Sequence, residues 1–532
     1  MLVELSMRSL FPIKIHTSIY VFALCLLAIG IPVSKFLMSL SQLILLGNWI
    51  LEGNHKEKFK AFIKNKPALV LCSLLFLHFI GLIYTSDFKY AFNDIRIKAP
   101  LFVLPLILST SKPLPEKYFH LVLKLLVASV FFSTLVSVAV LLGIYKKELN
   151  DIRGISIFIS HIRFALLICM SFYSSVYFFK KSTTIINKLF LFLLILWWPF
   201  FLLIMQSLTG LGILVISAMC VGVFYSVRYK KGKYKLAILS AIVSTCIFIG
   251  FELYEMKKEV FIKTKEIDLS NLPEKTRHGH YYYHDQKSSL YTENGNLVWV
   301  YICYDELEPL WNKRSTLDFN SVDRKGNYLQ VALVRFLASK GLTKDADGLN
   351  TLSNAEIRAI ENGITNIKYM HMNKFKKRVY ETLWEIDLYS KTGNANGHSL
   401  TQRFEYWKTA CQIINDHFFI GVGTGDIADA FTLQYEKSNS LLEQKSRLRS
   451  HNQYLSITIA FGIIGLAWFL FSLFYPPIKL GMFSNFLFLS FFCIALFSFF
   501  TEDTLETQAG VTFYVFINSF LLFARENNYG SR

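Results

Sequence analysis

The sequence predicts an all-α polytopic membrane protein of about twelve transmembrane helices with one large extramembrane domain of mixed structure. Three observations predict this class. The chain of 532 residues is 53% hydrophobic and 16% aromatic, with a mean hydropathy of +0.37, whereas soluble domains are about 45–50% apolar. The apolar residues are concentrated in runs of roughly 17–25 residues, the length that crosses a hydrocarbon core about 30 Å thick. The stretch from 254 to 452 contains no such run.

The predicted spans divide the chain into three parts. Residues 1–253 carry nine helices, 254–452 form a loop domain with part of the functional site, and 453–532 carry three helices and a tail. The spans lie near 17–32, 35–52, 67–84, 98–110, 119–144, 160–179, 189–206, 210–227, 236–253, 453–474, 483–500 and 507–524. The first run lacks a cleavage site of small residues, so we expect a retained span and not a signal peptide.

The segment 254–452 shows both strand and helix signals. HYYYHDQ (280–286) and LVWVYICY (297–304) favour short strands. SNAEIRAIENG (353–363) has capping-box spacing, and the amphipathic stretch 372–390 favours a second helix. We therefore predict a mixed domain between the ninth and tenth spans.

The positive charge indicates topology and not a nucleic-acid partner. In a soluble protein a net charge of +18 would suggest nucleic acid. Here lysines cluster in short loops between spans, as in HKEKFKAFIKNK (55–66) and RYKKGKYK (228–235), and the positive-inside rule assigns these loops to the cytoplasm. We predict both termini in the cytoplasm, residues 254–452 on the outer side, and no nucleic-acid partner.

Cysteine and acidic patterns give no metal signal. The chain has no Cys-x-x-Cys, and Cys303 and Cys411, which lie outside the spans, could pair in an oxidising compartment or stay free. DADGLNTLSNAE (345–356) matches a calcium loop only in part, because Leu349 takes a ligand position. We predict no metal.

Basic residues near the outer ends of spans break the positive-inside bias. Arg96 and Lys98 lie in NDIRIKAP, and Arg163 lies beside His161 in FISHIRFALL. Ionisable groups at membrane depth are costly and usually functional. Arginine suits a diphosphate because its planar fork forms bidentate bonds. These residues could form a basic pocket for a phosphate-bearing lipid, the interpretation that we favour for Arg163, or could extend toward lipid headgroups.

Acidic residues lie on the same side. Glu502 and Glu506 in TEDTLE, and Asp426 in FFIGVGTGD, could pair with the basic residues, orient an acceptor, or simply be solvated. The glycines Gly421 and Gly423 lack the Lys-Ser/Thr of a nucleotide loop and the strand of a dinucleotide fold. We expect them to allow a tight turn or a close approach of the backbone.

Two segments together resemble the signature region of the bacterial O-antigen ligase family, the Wzy_C superfamily. They are QRFEYWKTACQIINDHFFIGVGTGD (402–426) and SHNQYLSITIAFGIIG (450–465). The matching residues are Arg403 and Trp407, Gly421 and Gly423, His451 and Asn452, and Gly462 and Gly465. One departure is QSLTGLG (206–212), where Ser207 is present but the arginine that follows it in many members is not.

The resemblance implies a glycosyltransferase that needs no metal, nucleotide or other cofactor. It would move a glycan from undecaprenyl diphosphate to lipid A–core on the periplasmic face of the bacterial inner membrane. A polysaccharide polymerase or a protein O-oligosaccharyltransferase of the same superfamily are alternatives. A membrane transporter is the alternative from a different class, although the sequence shows no inverted repeat.

Roles for the site residues follow as hypotheses. His451, with an ordinary pKa of about 6.5, would be the general base, and Asn452 would orient the imidazole or a sugar hydroxyl. The diphosphate ligands would be Arg403, Arg163, Arg96 and Lys98, the last three as possible substitutes for the missing arginine. In the alternative, His451 binds phosphate, and Asp426 or Glu502 is the base. Glu506 could orient the acceptor, and Gly462 and Gly465 would be helix-packing positions.

Overall fold

The computed structural model describes residues 12–145, 147, 152–228, 232–265, 268, 271–285 and 291–525, without the side chains of 233 and 234. The chain divides into two compact units. The first comprises Met1–Ile242, Glu405–Ser440 and Arg447–Arg532, and the second comprises Val243–Phe404 and Leu441–Ser446. Residues 405–440 and 447–452, which the sequence division grouped with the outer segment, therefore fall in the first unit.

The first unit is built from helices, most of them long and apolar. They are α1 (Ile13–Val33), α2 (Lys35–Leu51), α3 (His55–Lys64), α4 (Lys66–Ile80), α5 (Phe88–Lys98), α6 (Pro100–Thr110), α7 (Glu116–Leu141), α8 (His161–Lys181), α9 (Ile185–Ile204), α10 (Leu208–Arg228) and the start of α11 (Gly232–Val260). Polar residues mark the start of two of these helices. Ser34 caps α2 and Asn65 caps α4, and each side chain accepts a backbone N–H of the first turn.

Eight helices of the described residues are long and apolar enough to cross a membrane, or nine if the bent pair of α2 and α3 is one span. This confirms a helical, multi-pass membrane protein. The expected spans at 98–110, 483–500 and 507–524 correspond to helices of only 11, 16 and 16 residues. Such helices are about 16–24 Å long, which is short of a hydrocarbon core about 30 Å thick. The number twelve therefore stays a prediction.

The second unit is more helical than the mixed domain that the sequence predicted. Its elements are the rest of α11, a hairpin of β1 (Thr292–Glu293) and β2 (Asn296–Leu297), α12 (Tyr304–Arg314), α13 (Leu329–Ser339), α14 (Ala346–Asn350), α15 (Asn354–Glu361), α16 (Lys374–Thr392) and the start of α17 (Ser399–Asp416). A core around Trp311 and Phe336 holds α12, α13 and α15 together. The capping box of Ser353 and Glu356 starts α15, as the sequence predicted.

The predicted strands at 280–286 and 297–304 are wrong as regular strands. Val298, Val300 and Ile302 are buried at alternate positions, as in a strand. However, Tyr301 has φ +58°, which interrupts the extended backbone. Only isolated bridges remain in the described part of this region, such as Tyr283 with Ile302.

The first unit ends with the helices that carry the candidate site. These are the rest of α17, α18 (Ile427–Lys437), α19 (Gln453–Lys479), α20 (Phe486–Thr501) and α21 (Gln508–Phe523). α21 is buried on every face, from Ala509 to Leu522, as expected of a helix that other apolar helices surround. It packs against α6 and α20. The connection between α20 and α21 is thereby held rigidly beside the start of α19.

Candidate active site

The two glycine motifs pack directly against each other. Gly462 interrupts α19 with φ +65°, and Gly421 (φ +71°) lies in the turn that precedes α18. The freed backbone groups bond across the gap, because Val422 N donates to Ile459 O at 2.8 Å and Ile463 N donates to Phe418 O at 2.8 Å. A Cβ at Gly462 would lie 2.1 Å from Phe419 O. Only glycine allows this approach.

Gly423 and Gly465 serve the same packing. Gly423 has φ +98° and faces the backbone of Gly81 and Thr85, and its N–H donates to Ala460 O at 2.9 Å. A Cβ at Gly465 would lie 2.2 Å from the Phe461 side chain. The Gly-x-Gly turn and the Gly-x-x-Gly span therefore form one joint that fixes the first turns of α19.

His451 lies at the entrance of α19 in a strained conformation. Its φ is +47°, which is unusual for a residue with a side chain. The residues around it hold this conformation: Asn452 caps the helix by accepting Leu455 N, and Ser450 Oγ donates to Asn452 O at 3.0 Å. Trp407 Nε1 donates to Ser450 O at 2.9 Å, and the Tyr406 ring lies 5.8 Å from the imidazole.

The connection between α20 and α21 brings two carboxylates to this histidine. His451 Nδ1 lies 3.6 Å from Glu502 Oε2 and 3.6 Å from Asp503 Oδ1. Both carboxylates are buried. Two arginines complete the group: Arg163 Nη2 is 4.0 Å from Glu502 Oε2, and Arg449 Nη2 is 3.7 Å from Asp503 Oδ2. We call these five residues the His451 cluster.

The two carboxylates raise the pKa of His451 to about 9, and Asp503 makes the larger contribution. Burial alone would lower this pKa. Burial alone would raise the pKa of Asp503, but His451 and Arg449 lower it overall. At neutral pH the cluster therefore holds an imidazolium beside the ionised carboxylate of Asp503. The unperturbed value assumed from the sequence does not apply.

A chain of alternating charges extends from the cluster into the first unit. Arg449 Nη1 lies 3.3 Å from Glu506 Oε2 and donates to the Tyr90 hydroxyl at 2.7 Å. Glu506 also accepts from Lys98 Nζ at 2.9 Å, and Lys98 donates to Asp94 at 2.5 Å. His78 Nδ1 lies 3.1 Å from the other oxygen of Asp94. Gln453 Nε2 donates to Glu506, which ties this chain to the first residue of α19.

The structure brings some predicted site residues together and separates others. His451, Arg163 and Glu502 are in the cluster, and Glu506 lies next to it. Lys98 is 1% exposed and lies between two carboxylates, an environment that argues against a diphosphate ligand. Arg96 is exposed and donates to Asn93 Oδ1. Its role stays a prediction.

The side chain of Asp426 connects the turn before α18 to residues 85–87. It accepts from the backbone N–H of Ser86 and of Asp87 at 2.8 Å, and from the Thr85 hydroxyl at 3.2 Å. Burial would raise its pKa, but these donors lower it overall. A carboxylate so fully engaged is a poor proton acceptor, which argues against Asp426 as the base.

Two further residues keep their predicted roles as predictions. Arg403 lies on the part of α17 that belongs to the second unit. Asn452 uses its side-chain oxygen to cap α19. Cys303 and Cys411, which could have paired, are both free thiols.

Arg449, Asp503 and Tyr90 were missed in the sequence. Arg449 is two residues before His451 and carries a charge at a span entrance, which is a usable signal. Asp503 lies in TEDTLE, where its local sequence is typical of a solvated loop charge, yet it is 5% exposed. Its contact with His451 joins residues 52 positions apart, which local patterns do not reveal.

The ligand atoms of His451, Glu502 and Asp503 lie within 4.8 Å of one another and could hold a metal ion. One imidazole and two carboxylates suit a transition metal. Arg163 and Arg449 already neutralise these carboxylates, so a metal would have to compete with two cations. The prediction that no metal is needed remains a prediction.

Comparison with known proteins supports the resemblance found in the sequence. Residues 348–470 match the model of a family described as O-antigen ligase. The match includes both glycine motifs, Arg449 and His451, whereas Arg163, Glu502 and Asp503 of the cluster lie outside it. No curated protein matches the chain. The chain is thus a multi-pass membrane protein in which residues 348–470 are similar to the O-antigen ligase family.

Proposed function

We propose that the protein is a glycosyltransferase that moves a glycan from an undecaprenyl-diphosphate-linked donor to lipid A–core on the periplasmic face of a bacterial inner membrane. The observation that carries this proposal is the His451 cluster. It joins an imidazole, two buried carboxylates and two guanidinium groups at one end of the helices, at the entrance of the matched α19. These are the groups that a transfer from a diphosphate requires: a proton acceptor and cations for the leaving group.

The reaction is a displacement at the anomeric carbon of the donor. The acceptor hydroxyl forms a bond to this carbon, the bond to the diphosphate oxygen breaks, and its electron pair leaves with the diphosphate. The Arg163 guanidinium and the His451 imidazolium stabilise the charge on that oxygen. A well-placed donor of this kind typically contributes about 2.7–4 kcal/mol to the transition state.

The proton of the acceptor hydroxyl goes to a carboxylate. His451 is protonated at neutral pH, since its pKa is about 9, so Glu502 is the better candidate for the base. This is the alternative mechanism that the sequence left open. The first hypothesis, with neutral His451 as base, requires the imidazole to lose its proton when substrates enter.

Transfer by the purified protein in proteoliposomes tests the proposal. Lipid-linked oligosaccharide and lipid A–core are supplied, and the products are separated by gel and mass spectrometry. Glycosylated lipid A–core supports the proposal. Elongated donor would identify a polymerase, a glycosylated peptide would identify a protein glycosyltransferase, and movement of intact donor without bond cleavage would identify a transporter.

A substitution in the His451 cluster tests whether the transfer reaction takes place there. Glu502→Gln keeps the size of the side chain and removes the charge, and we expect transfer to fall about 100-fold or more, as for loss of a general base. Glu436→Gln on the exposed face of α18 is the matched control and should transfer normally. Transfer by Glu502→Gln at the rate of the control would remove the carboxylate from the mechanism.

A further inference from the structure

A second site lies at the other end of the helices. A cavity of about 630 Å³ opens between α7, α8 and α9, and we call it the α7–α9 cavity. Its polar lining includes Glu116, His120, Lys124 and Lys181, and its apolar lining includes Phe131 and Leu194. Arg163, at the start of α8, is 18 residues from Lys181, which places the cavity about 27 Å from the His451 cluster.

The lining changes from polar to apolar along one face of α7. Glu116, His120 and Lys124 cover about 12 Å of helix axis, and Val127 to Phe131 continue for about 10 Å more. One leaflet of a bilayer has the same order, since a headgroup layer lies over about 15 Å of hydrocarbon. α9, which forms the other wall, exposes Ile186 and Leu193, as a helix facing lipid would.

The lining of the cavity contains one carboxylate, Glu116, and two lysines, Lys124 and Lys181, so one cation has no carboxylate partner in the lining. Glu116 is neutralised, because its carboxylate lies 2.5 Å from Lys181 Nζ and 3.8 Å from Arg525. Lys124 Nζ lies 5.6 Å from the centre of the Phe178 ring. Among the described residues, no carboxylate lies within ion-pair distance of Lys124. A cation two turns inside an apolar helix is unfavourable unless an anion meets it.

We propose that the α7–α9 cavity binds an anionic glycerophospholipid, with the phosphodiester on Lys124 and an acyl chain along Val127, Phe131 and Leu194. A lysine ammonium is a common ligand of phosphate groups. The lysines of the adjacent loops assign this end of the helices to the cytoplasm, so the lipid comes from the cytoplasmic leaflet. The site does not depend on the glycosyl-transfer activity.

Lipid binding to the full-length protein in detergent tests this site. Dioleoyl phosphatidylglycerol is titrated and detected by native mass spectrometry and by the Tm. We expect it to bind and raise the Tm, whereas dioleoyl phosphatidylcholine and inorganic phosphate should not. Lys124→Gln should raise the Kd for phosphatidylglycerol roughly tenfold or more, as expected when a charge-assisted bond is lost.

Lys117→Gln is the matched control. Lys117 is on the same end of α7, but its ammonium lies over the Tyr118 ring and does not line the cavity. This variant should bind phosphatidylglycerol like the wild type. Ala128→Phe fills the apolar part of the cavity and should also weaken binding, and it keeps the test valid if Lys124→Gln misfolds.

Three results would overturn the proposal. Equal binding of phosphatidylcholine would show a non-specific lipid surface. Equal stabilisation by inorganic phosphate would show a site for a soluble anion. Unchanged binding by both Lys124→Gln and Ala128→Phe would place the lipid elsewhere on the protein.

Discussion

At the scale of single residues, the contacts of His451 decide its protonation. The sequence supplied the residue and its position before a span, but not the two carboxylates beside it. Asp503 and Glu502 make the imidazole a cation over the neutral range. The residue that looked like a base is therefore proposed as a ligand of the leaving group, and Glu502 is proposed as the proton acceptor.

The pH dependence of transfer distinguishes these roles. If the imidazolium is required, the rate should be level near neutral pH and fall as pH rises through about 9, where His451 loses its proton. Asp503→Asn removes one carboxylate, lowers the pKa of His451 and should move this fall to lower pH. The measurement is the initial rate in proteoliposomes between pH 6 and 10. A rate that rises through pH 9 would instead identify neutral His451 as the base.

The stability of the folded protein should also depend on the protonation of His451. The pKa of His451 is raised on folding, so its contribution is complete below the unfolded value of about 6.5 and is lost as pH rises through about 9. The Tm of the wild type in detergent should therefore fall more between pH 7 and 10 than the Tm of His451→Gln. Parallel curves for the two proteins would contradict the ion pairs.

Lys98 should matter for stability. It is enclosed with Asp94 and Glu506, and Lys98→Met would leave two buried carboxylates without their cation. Breaking a buried pair in this way typically costs about 3–5 kcal/mol. Arg96→Gln, two residues earlier on the exposed side of α5, is the matched control and should change the Tm little. Thermal unfolding in detergent compares them, and equal Tm values would show that Lys98 is not needed for charge balance.

Part of this site was predictable from single residues. Arg163 and His451 were found because a charge or an imidazole at a span entrance is rare and costly. Lys98 is also a charge near a span entrance, but it is paired with Asp94 and Glu506 inside the protein. Glu506 is 408 positions away, so this pairing is visible only in the fold. The sequence shows which residues are unusual, whereas their pairing requires tertiary structure.

At the scale of elements, the glycine motifs act as a joint between the α18 turn and α19. The sequence predicted a span over 453–474 with packing positions at Gly462 and Gly465, but it did not indicate the break within α19. The break at Gly462 could not be predicted, because its hydrogen bonds are replaced by bonds to a segment more than 35 residues earlier. Similarly, Tyr301 ended an expected strand through a backbone angle that its side chain does not indicate.

Gly462→Ala should disrupt this joint. The new Cβ would lie 2.1 Å from Phe419 O at a residue with φ +65°, and the combined strain and overlap should cost about 3 kcal/mol or more. Gly47→Ala on α2 is the control, since nothing lies within 4 Å of its Cβ position. Alanine there should be neutral or stabilising by up to about 1 kcal/mol. The Tm and yield of the two variants measure the difference, and a Gly462→Ala protein as stable as the control would contradict the joint.

Asp426 connects the α18 turn to residues 85–87, and its replacement separates a structural role from a catalytic one. Asp426→Asn loses an ionised acceptor of two backbone N–H groups and should cost about 1–3 kcal/mol. Its transfer rate below the Tm should stay close to that of the wild type. The Tm and the initial rate are both measured. A rate loss of 100-fold at an unchanged Tm would restore Asp426 as a candidate base.

At the scale of the whole chain, contacts within the first unit bear on the number of spans. α19 starts beside His451, and α20 returns to the same place, since Glu502 follows its last residue. α21 then ends at Phe523, and the carbonyl of the next residue, Ala524, accepts Leu114 N just before α7. α2 follows the same path, because Ser39 bonds Gln508 near the cluster and Trp49 bonds Thr110 at the opposite end of α6. The short helices therefore connect the same two ends as the long ones.

This arrangement predicts that α2, α6, α20 and α21 cross the membrane despite their length, which restores the expected twelve crossings. Single cysteines are introduced into a variant in which the eight natural cysteines are replaced by serine or alanine. The proteins are treated with a membrane-impermeant maleimide in intact and permeabilised cells. Lys147→Cys should react in intact cells. Ser484→Cys and Arg525→Cys should react only after permeabilisation, because the charge bias places their end of the helices in the cytoplasm. Labelling of Arg525→Cys in intact cells would place the carboxyl end outside and reduce the number of crossings by an odd number.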